Sequence, residues 1–240
     1  MSESLNTLQS AAPPDARENA VPARPADVAR PIPDDALIVL PSRNVVMFPG
    51  LVLPLTIGRE RSRAAVQEAV RTERPIGVLL QTDPADDDPG PAGMHWVGAS
   101  AAVLRYVTTP DGLHHAIARG VQRFRVLEFL DGWPFPVARV QFIADVPETD
   151  AEIEGRARLL KQRAAETLEL LPQVPEELSV ALQNVEGASR LADFVGGLMD
   201  IAAAEKQALL EAFDLKARLD KLLELLAQLV AHDVGAAAQH

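Results

Sequence analysis

The apolar residues of this chain change rhythm near Pro147, from short runs broken by Pro and Gly to a helical repeat. Strands followed by helices in that order describe an α+β chain with segregated lobes. Upstream, Leu37-Ile38-Val39-Leu40 stops at Pro41, Val45-Val46-Met47-Phe48 at Pro49-Gly50, and the run from Leu51 to Ile57 at Gly58. Such runs predict strands whose prolines lie at ends, edges or bulges. Further strands are expected over 76–81, 95–108, 113–119, 124–130 and 137–144. Thr109-Pro110-Asp111-Gly112 makes a hairpin turn, since Pro presets φ and Gly accepts a positive one. Ala65, Val66, Ala69 and Val70 place one amphipathic helix among the strands, over 62–71. The sum is a mostly antiparallel sheet domain that closes as a barrel or a sandwich.

Downstream, Ile153, Ala157, Leu160, Ala164, Leu168 and Leu171 fall on one helical face that ends at Pro172. Pro175 opens a second helix through Leu178, Leu182 and Val185, and a third runs from Leu191 to Met199. A short fourth spans 206–213, and Asp214 caps a fifth whose Leu215, Leu219, Leu222, Leu223 and Leu226 form a stripe. The expected division is a Pro- and Ala-rich disordered leader at 1–34, a β lobe at 35–147, a helical lobe at 148–234 and a frayed tail at 235–240.

Several function classes are disfavoured by composition. The 240 residues carry a net charge of −11, whereas nucleic-acid binders present clustered Lys and Arg, so nucleic acid is not the expected partner. Cysteine is absent, which removes disulfides, thiolate metal sites and a thiol nucleophile. No apolar run approaches the roughly 20 residues that span a bilayer, and the N-terminus lacks the features of a secretory signal. A soluble, cytoplasmic protein is the expectation.

Catalytic patterns are not evident. No Gly-rich loop is followed by Lys and Ser/Thr, and Gly196-Gly197 within a helical pattern predicts close packing rather than a phosphate cradle. His114 and His115 are strand neighbours that point to opposite faces, so they cannot share a metal, and solvated positions beside the turn are expected for both. Ser62 and Ser179 near helix starts suit capping, and Asp86-Asp87-Asp88 suits a solvated linker, lacking the ligand spacing of a calcium loop. Arg119 and Arg123 are expected to brace the hairpin through ion pairs. No cofactor and no metal are expected, and the chain does not read as an enzyme.

One family resemblance runs through both regions. Leu40-Pro41-Ser42-Arg43-Asn44, then Val45 to Gly50, then Leu53-Pro54-Leu55-Thr56-Ile57-Gly58-Arg59 resemble the opening of Lon-type ATP-dependent protease N-terminal regions. Pro110-Asp111-Gly112 with Ala118 to Phe124, Arg190-Leu191-Ala192-Asp193, and Lys206-Gln207 leading to Arg218-Leu219 continue it. Ser42 departs from the family's leucine, and the ATPase and Ser–Lys peptidase motifs have no counterpart here.

The resemblance implies a PUA-like β-barrel lobe followed by an all-α helical bundle lobe. It implies capture of unfolded, damaged or degron-bearing proteins in quality control, as part of a hexamer beside ATPase and protease modules. Exposed apolar surface is what such capture requires, and Met47, Phe48, Leu51, Val52 and Leu53 are the first candidates, with core packing as their alternative. Leu215, Leu219, Leu222, Leu223 and Leu226 are the candidates for oligomerisation. Two rival readings are a truncated relative that acts through this last helix on oligomers of the complete protease, and a PUA-like RNA-binding module.

Overall fold

In this computed structural model residues 30–110, 113–144, 150–170 and 175–237 are described. The expected leader over 1–29, the Asp111-Gly112 turn, Pro147, Leu171, Pro172 and the last three residues of the tail lie outside them.

Among the described residues the β lobe holds six strands: β1 (Ala36–Ser42), β2 (Val52–Ile57), β3 (Ile76–Leu80), β4 (Val97–Thr108), β5 (His114–Leu130) and β6 (Val137–Phe142). Their order is β2-β5-β4-β3-β1-β6, and a further β5–β6 pairing closes the last five into a barrel. Only β1 and β3 run parallel. Pro54 is tolerated because β2 is an edge strand, paired with β5 alone among the described strands. The 113–119 and 124–130 expectations merge into β5, whose first half pairs with β2 and whose second half pairs with β6.

Strand β1 is apolar at every position from 36 to 40 because both of its faces are buried. Ile38 and Leu40 face a core shared with Leu55, Ile76 and Val78, while Leu37 and Val39 face another built on Leu79, Phe124 and Val126. Two-sided burial removes the usual alternation. Helix α1 (Glu60–Arg71) lays Ala65, Val66 and Ala69 into the first of these cores.

The expected strand over 45–48 is not formed. Ser42 Oγ accepts the amide of Val45 at 3.0 Å and starts a turn, and Gly50 adopts φ +83°. Val46, Met47 and Phe48 are nonetheless buried, and Val45 is half-buried. A short apolar run signals burial, and periodicity alone does not distinguish a strand from a packed connector.

Among the described residues five helices follow: α2 (Ala151–Leu170), α3 (Glu176–Asn184), α4 (Ala188–Leu198), α5 (Ala203–Glu211) and α6 (Leu215–Ala237). With β1–β6 and α1 they make the α+β chain of barrel and helical bundle that the sequence predicts. Asp214 Oδ1 accepts the amide of Ala217 at 2.8 Å, the N-cap expected for α6. That helix continues through 235–237, past the point where fraying is predicted. No helix of the described residues is long and apolar enough to cross a membrane.

Candidate functional site

Strand β5 and helix α4 meet where the barrel touches the helical lobe. Arg123 and Asp193 are only 3% and 2% exposed there. Arg123 Nη1 donates to Asp193 Oδ2 at 2.8 Å, Nη2 donates to Oδ1, and Nε donates to the Leu210 carbonyl at 3.2 Å. Arg218 of α6 lies 3.6 Å from the same carboxylate and donates to Ser189 Oγ at 3.1 Å. Charge survives burial only when paired and hydrogen-bonded in this way. Gln207 adds a bond to the Val97 carbonyl at 2.9 Å, and Arg125 stacks over Phe213. Lys206 donates to the Gly197 carbonyl at 2.9 Å, and burial holds its pKa below the usual lysine value.

The apolar half of the junction is the 45–51 connector. Phe48 and Leu51 join the helical core, whereas Met47 joins the barrel core. A Cβ on Gly120 would meet the Phe48 carbonyl oxygen at 2.0 Å, so only glycine lets the connector cross β5. A Cβ on Gly197 would meet Leu51 Cδ1 at 1.9 Å, so the predicted close packing at Gly196-Gly197 is made partly against the barrel.

Beside this sealed junction lies an open cleft of ≈ 610 Å³. Leu51, Arg119 and Val121 form its barrel wall, and Val185, Arg190 and Phe194 its helical wall. On β5, Ala116, Ala118 and Gly120 point inward while Ile117, Arg119 and Val121 point out, as alternation requires. The β4–β5 register shifts opposite Val121, leaving it as an extra, outward residue that is 53% exposed. Val52 lies beside Arg119 in the β2–β5 ladder and is also exposed, so an apolar strip leads from the cleft along the sheet. On α4, Arg190, Asp193, Phe194 and Gly197 follow helical spacing and share the face turned to the barrel. The cleft is concave and mixed, with polar and apolar surface in about equal share. Among the described residues no cluster of three metal-ligating side chains occurs.

The predicted site residues are divided by this geometry. Met47 and Phe48 are buried and Leu53 is half-buried, so these three fasten the lobes together or fill their cores, while Leu51 is largely buried yet contributes to the barrel wall of the cleft. Val52 alone of the five is exposed. Leu215, Leu219, Leu222 and Leu226 are buried within their own lobe, where α6 packs on α2 and α4, and Leu226 also reaches an open groove between α2 and α6. Leu223 is half-buried and borders an apolar groove between α2 and α6, with Leu159 across from it.

Other expectations change as well. Arg123 braces the lobes rather than the hairpin, and Arg119 contacts no carboxylate among the described residues. Asp86, Asp87 and Asp88 are exposed, as expected of a solvated loop, but Asp87 and Asp88 also pair with Arg43 and Arg61, and Arg59 donates to the Asp86 carbonyl. His114 is half-buried, with Nδ1 2.8 Å from Tyr106 Oη and 3.0 Å from Thr108 Oγ1. Ser62 lies inside α1, whose N-cap position is Arg59. Sequence reasoning missed Val121, Arg190 and Phe194. The available signal was an outward apolar position on a strand and an Arg-x-x-Asp-Phe helical face.

Comparison with known proteins bears on both lobes. The family described as the ATP-dependent protease La (LON) substrate-binding domain matches residues 36–228. A Lon protease of Paraburkholderia phytofirmans is 45% identical over 197 residues, covering 82% of this chain and 24% of that protein. A Lon protease of Phenylobacterium zucineum is 45% identical over 204 residues, covering 85% and 26%. The chain thus spans about a quarter of the length of these curated relatives. Among solved structures, the N-terminal domain of a Mycobacterium avium complex Lon protease shares the fold with a TM-score of 0.69 at 21% identity, over 80% of this chain and 98% of that one.

Proposed function

Because the chain belongs to the family of substrate-binding domains of the ATP-dependent protease La (LON), we propose that it captures protein clients by seating their apolar segments in the cleft between its lobes. The observation that carries this reading is the cleft itself, which offers Leu51 and Val121 from one wall and Val185 and Phe194 from the other, with exposed Val52 beside it. Unfolded, damaged or degron-bearing proteins expose such segments, whereas folded ones bury them. The client is held here and cut elsewhere, by the ATPase and peptidase modules of a longer cytoplasmic Lon protease.

Weak capture suits this role. Each apolar side chain buried contributes about 1.5–3 kcal/mol, against which the ordering of the client must be set. Several copies arranged around a hexamer raise the net affinity through effective concentration without new contacts. The buried Phe48 and Arg123–Asp193 contacts support this by fixing the two walls of the cleft relative to each other.

The test is fluorescence anisotropy of a labelled, permanently unfolded polypeptide titrated with the intact chain. Substituting exposed Val52 and Val121 together, each to Asn, is expected to weaken binding by about tenfold or more while leaving the thermal midpoint unchanged. Unaltered affinity in a folded double variant overturns this assignment of the capture surface.

A further inference from the structure

The geometry points to a client class: the cleft selects apolar segments that carry a carboxylate, and Arg119 and Arg190 make the selection. This rests on the reading of the cleft as the capture site. Several arginines already hold a carboxylate; Arg43, Arg61, Arg71, Arg74, Arg139 and Arg156 are examples. Arg119 and Arg190 do not contact one among the described residues, yet they line the same cleft from opposite lobes. Both are exposed.

The acidic groups of the cleft do not cancel them. Asp193 lies in its wall but is engaged by Arg123 and Arg218 together. Glu186 is the other carboxylate of the lining. With Asp193 so engaged, the lining sets two exposed guanidiniums against the one carboxylate of Glu186, an excess of positive charge in a chain whose net charge is −11. An acidic segment is repelled by the surface at large and attracted here, which adds positional selectivity to attraction.

Arginine suits this task because its planar guanidinium offers paired N–H donors that match a carboxylate. The apolar neighbours Leu51, Val121, Val185 and Phe194 exclude water from a bound segment and so strengthen the pairing. A segment bearing lysine at the same place brings its charge against two guanidiniums and is disfavoured. A polyanion without apolar groups leaves the apolar side chains of both walls unsatisfied, which is why a polypeptide is the occupant.

Three peptides, alike in a Leu- and Val-rich sequence but with Glu, Gln or Lys at the centre, test this by anisotropy against the intact chain. The Glu peptide is expected to bind about three- to tenfold more tightly than the Gln peptide, with the Lys peptide weakest. In an Arg119→Gln, Arg190→Gln double variant the Glu and Gln peptides should bind alike, with the Gln peptide's affinity unchanged. Equal binding of Glu and Gln peptides to the unaltered chain, or a preference that persists in the double variant, overturns the inference while the capture reading stands. If none of the three binds, the capture reading falls and this inference with it.

Discussion

Arg119 and Arg123 both point outward from strand β5, yet one lines the open cleft and the other is sealed beneath the helical lobe. Their partners on α4 divide the same way, with Arg190 exposed and Asp193 buried three residues later. Residue type and strand parity do not separate the two arginines. What separates them is where the helical lobe ends. Under its cover a guanidinium must be matched by a carboxylate and by carbonyl acceptors. Two strand repeats away the same group remains solvated and available. Structural and functional charge are thus neighbours on the same two elements, and the edge of the covering lobe draws the line between them.

Removing the buried carboxylate breaks this comparison most severely. Asp193→Asn leaves Arg123 and Arg218 facing each other in the junction without their counter-charge. A loss of about 3–5 kcal/mol in urea-unfolding stability is expected, the usual effect of deleting one partner of a buried pair. A loss below 1 kcal/mol, by the same rule, would mean that the apolar connector alone joins the lobes.

A smaller effect comes from the crossing of the connector over β5. Gly120→Ala places a methyl against the rigid Phe48 carbonyl rather than a flexible side chain. The connector must shift, at a cost of about 1–3 kcal/mol. Because Pro49, Gly50 and Leu51 also line the cleft, this variant should weaken peptide binding as well as stability. Denaturation and anisotropy measured on the same sample check both.

The sequence made the helices more legible than the junction. Leu215, Leu219, Leu222 and Leu226 recur at helical spacing, and a helix with that pattern forms wherever its stripe finds cover. The pattern does not say whether the cover is the same chain or another, which is why the stripe was open to an oligomer reading. Val45 to Phe48 shows the converse limit. Its apolar character announced burial, but its irregular backbone follows from the Ser42 turn, the Gly50 conformation and the approach to Gly120, which are long-range or local details beyond periodicity. The motif segments were informative in a way their spacing could not express. Arg123, Asp193, Gln207 and Arg218 lie in separate stretches, and only folding brings them to one junction.

The smallest expected effect sharpens the comparison from its open side. Arg190→Gln alters an exposed residue without a carboxylate partner among the described residues, so it should change stability by no more than about 0.5 kcal/mol. The helix tolerates the exchange, since Arg and Gln have similar propensities. A guanidinium with a hidden structural duty would behave otherwise, approaching the cost expected for Asp193→Asn three residues along the same helix. Urea titrations of the two variants side by side therefore measure where the junction stops. Near-neutrality at position 190 with a large loss at 193 locates its edge between successive turns of α4, and comparable losses at both would extend the sealed region across the cleft.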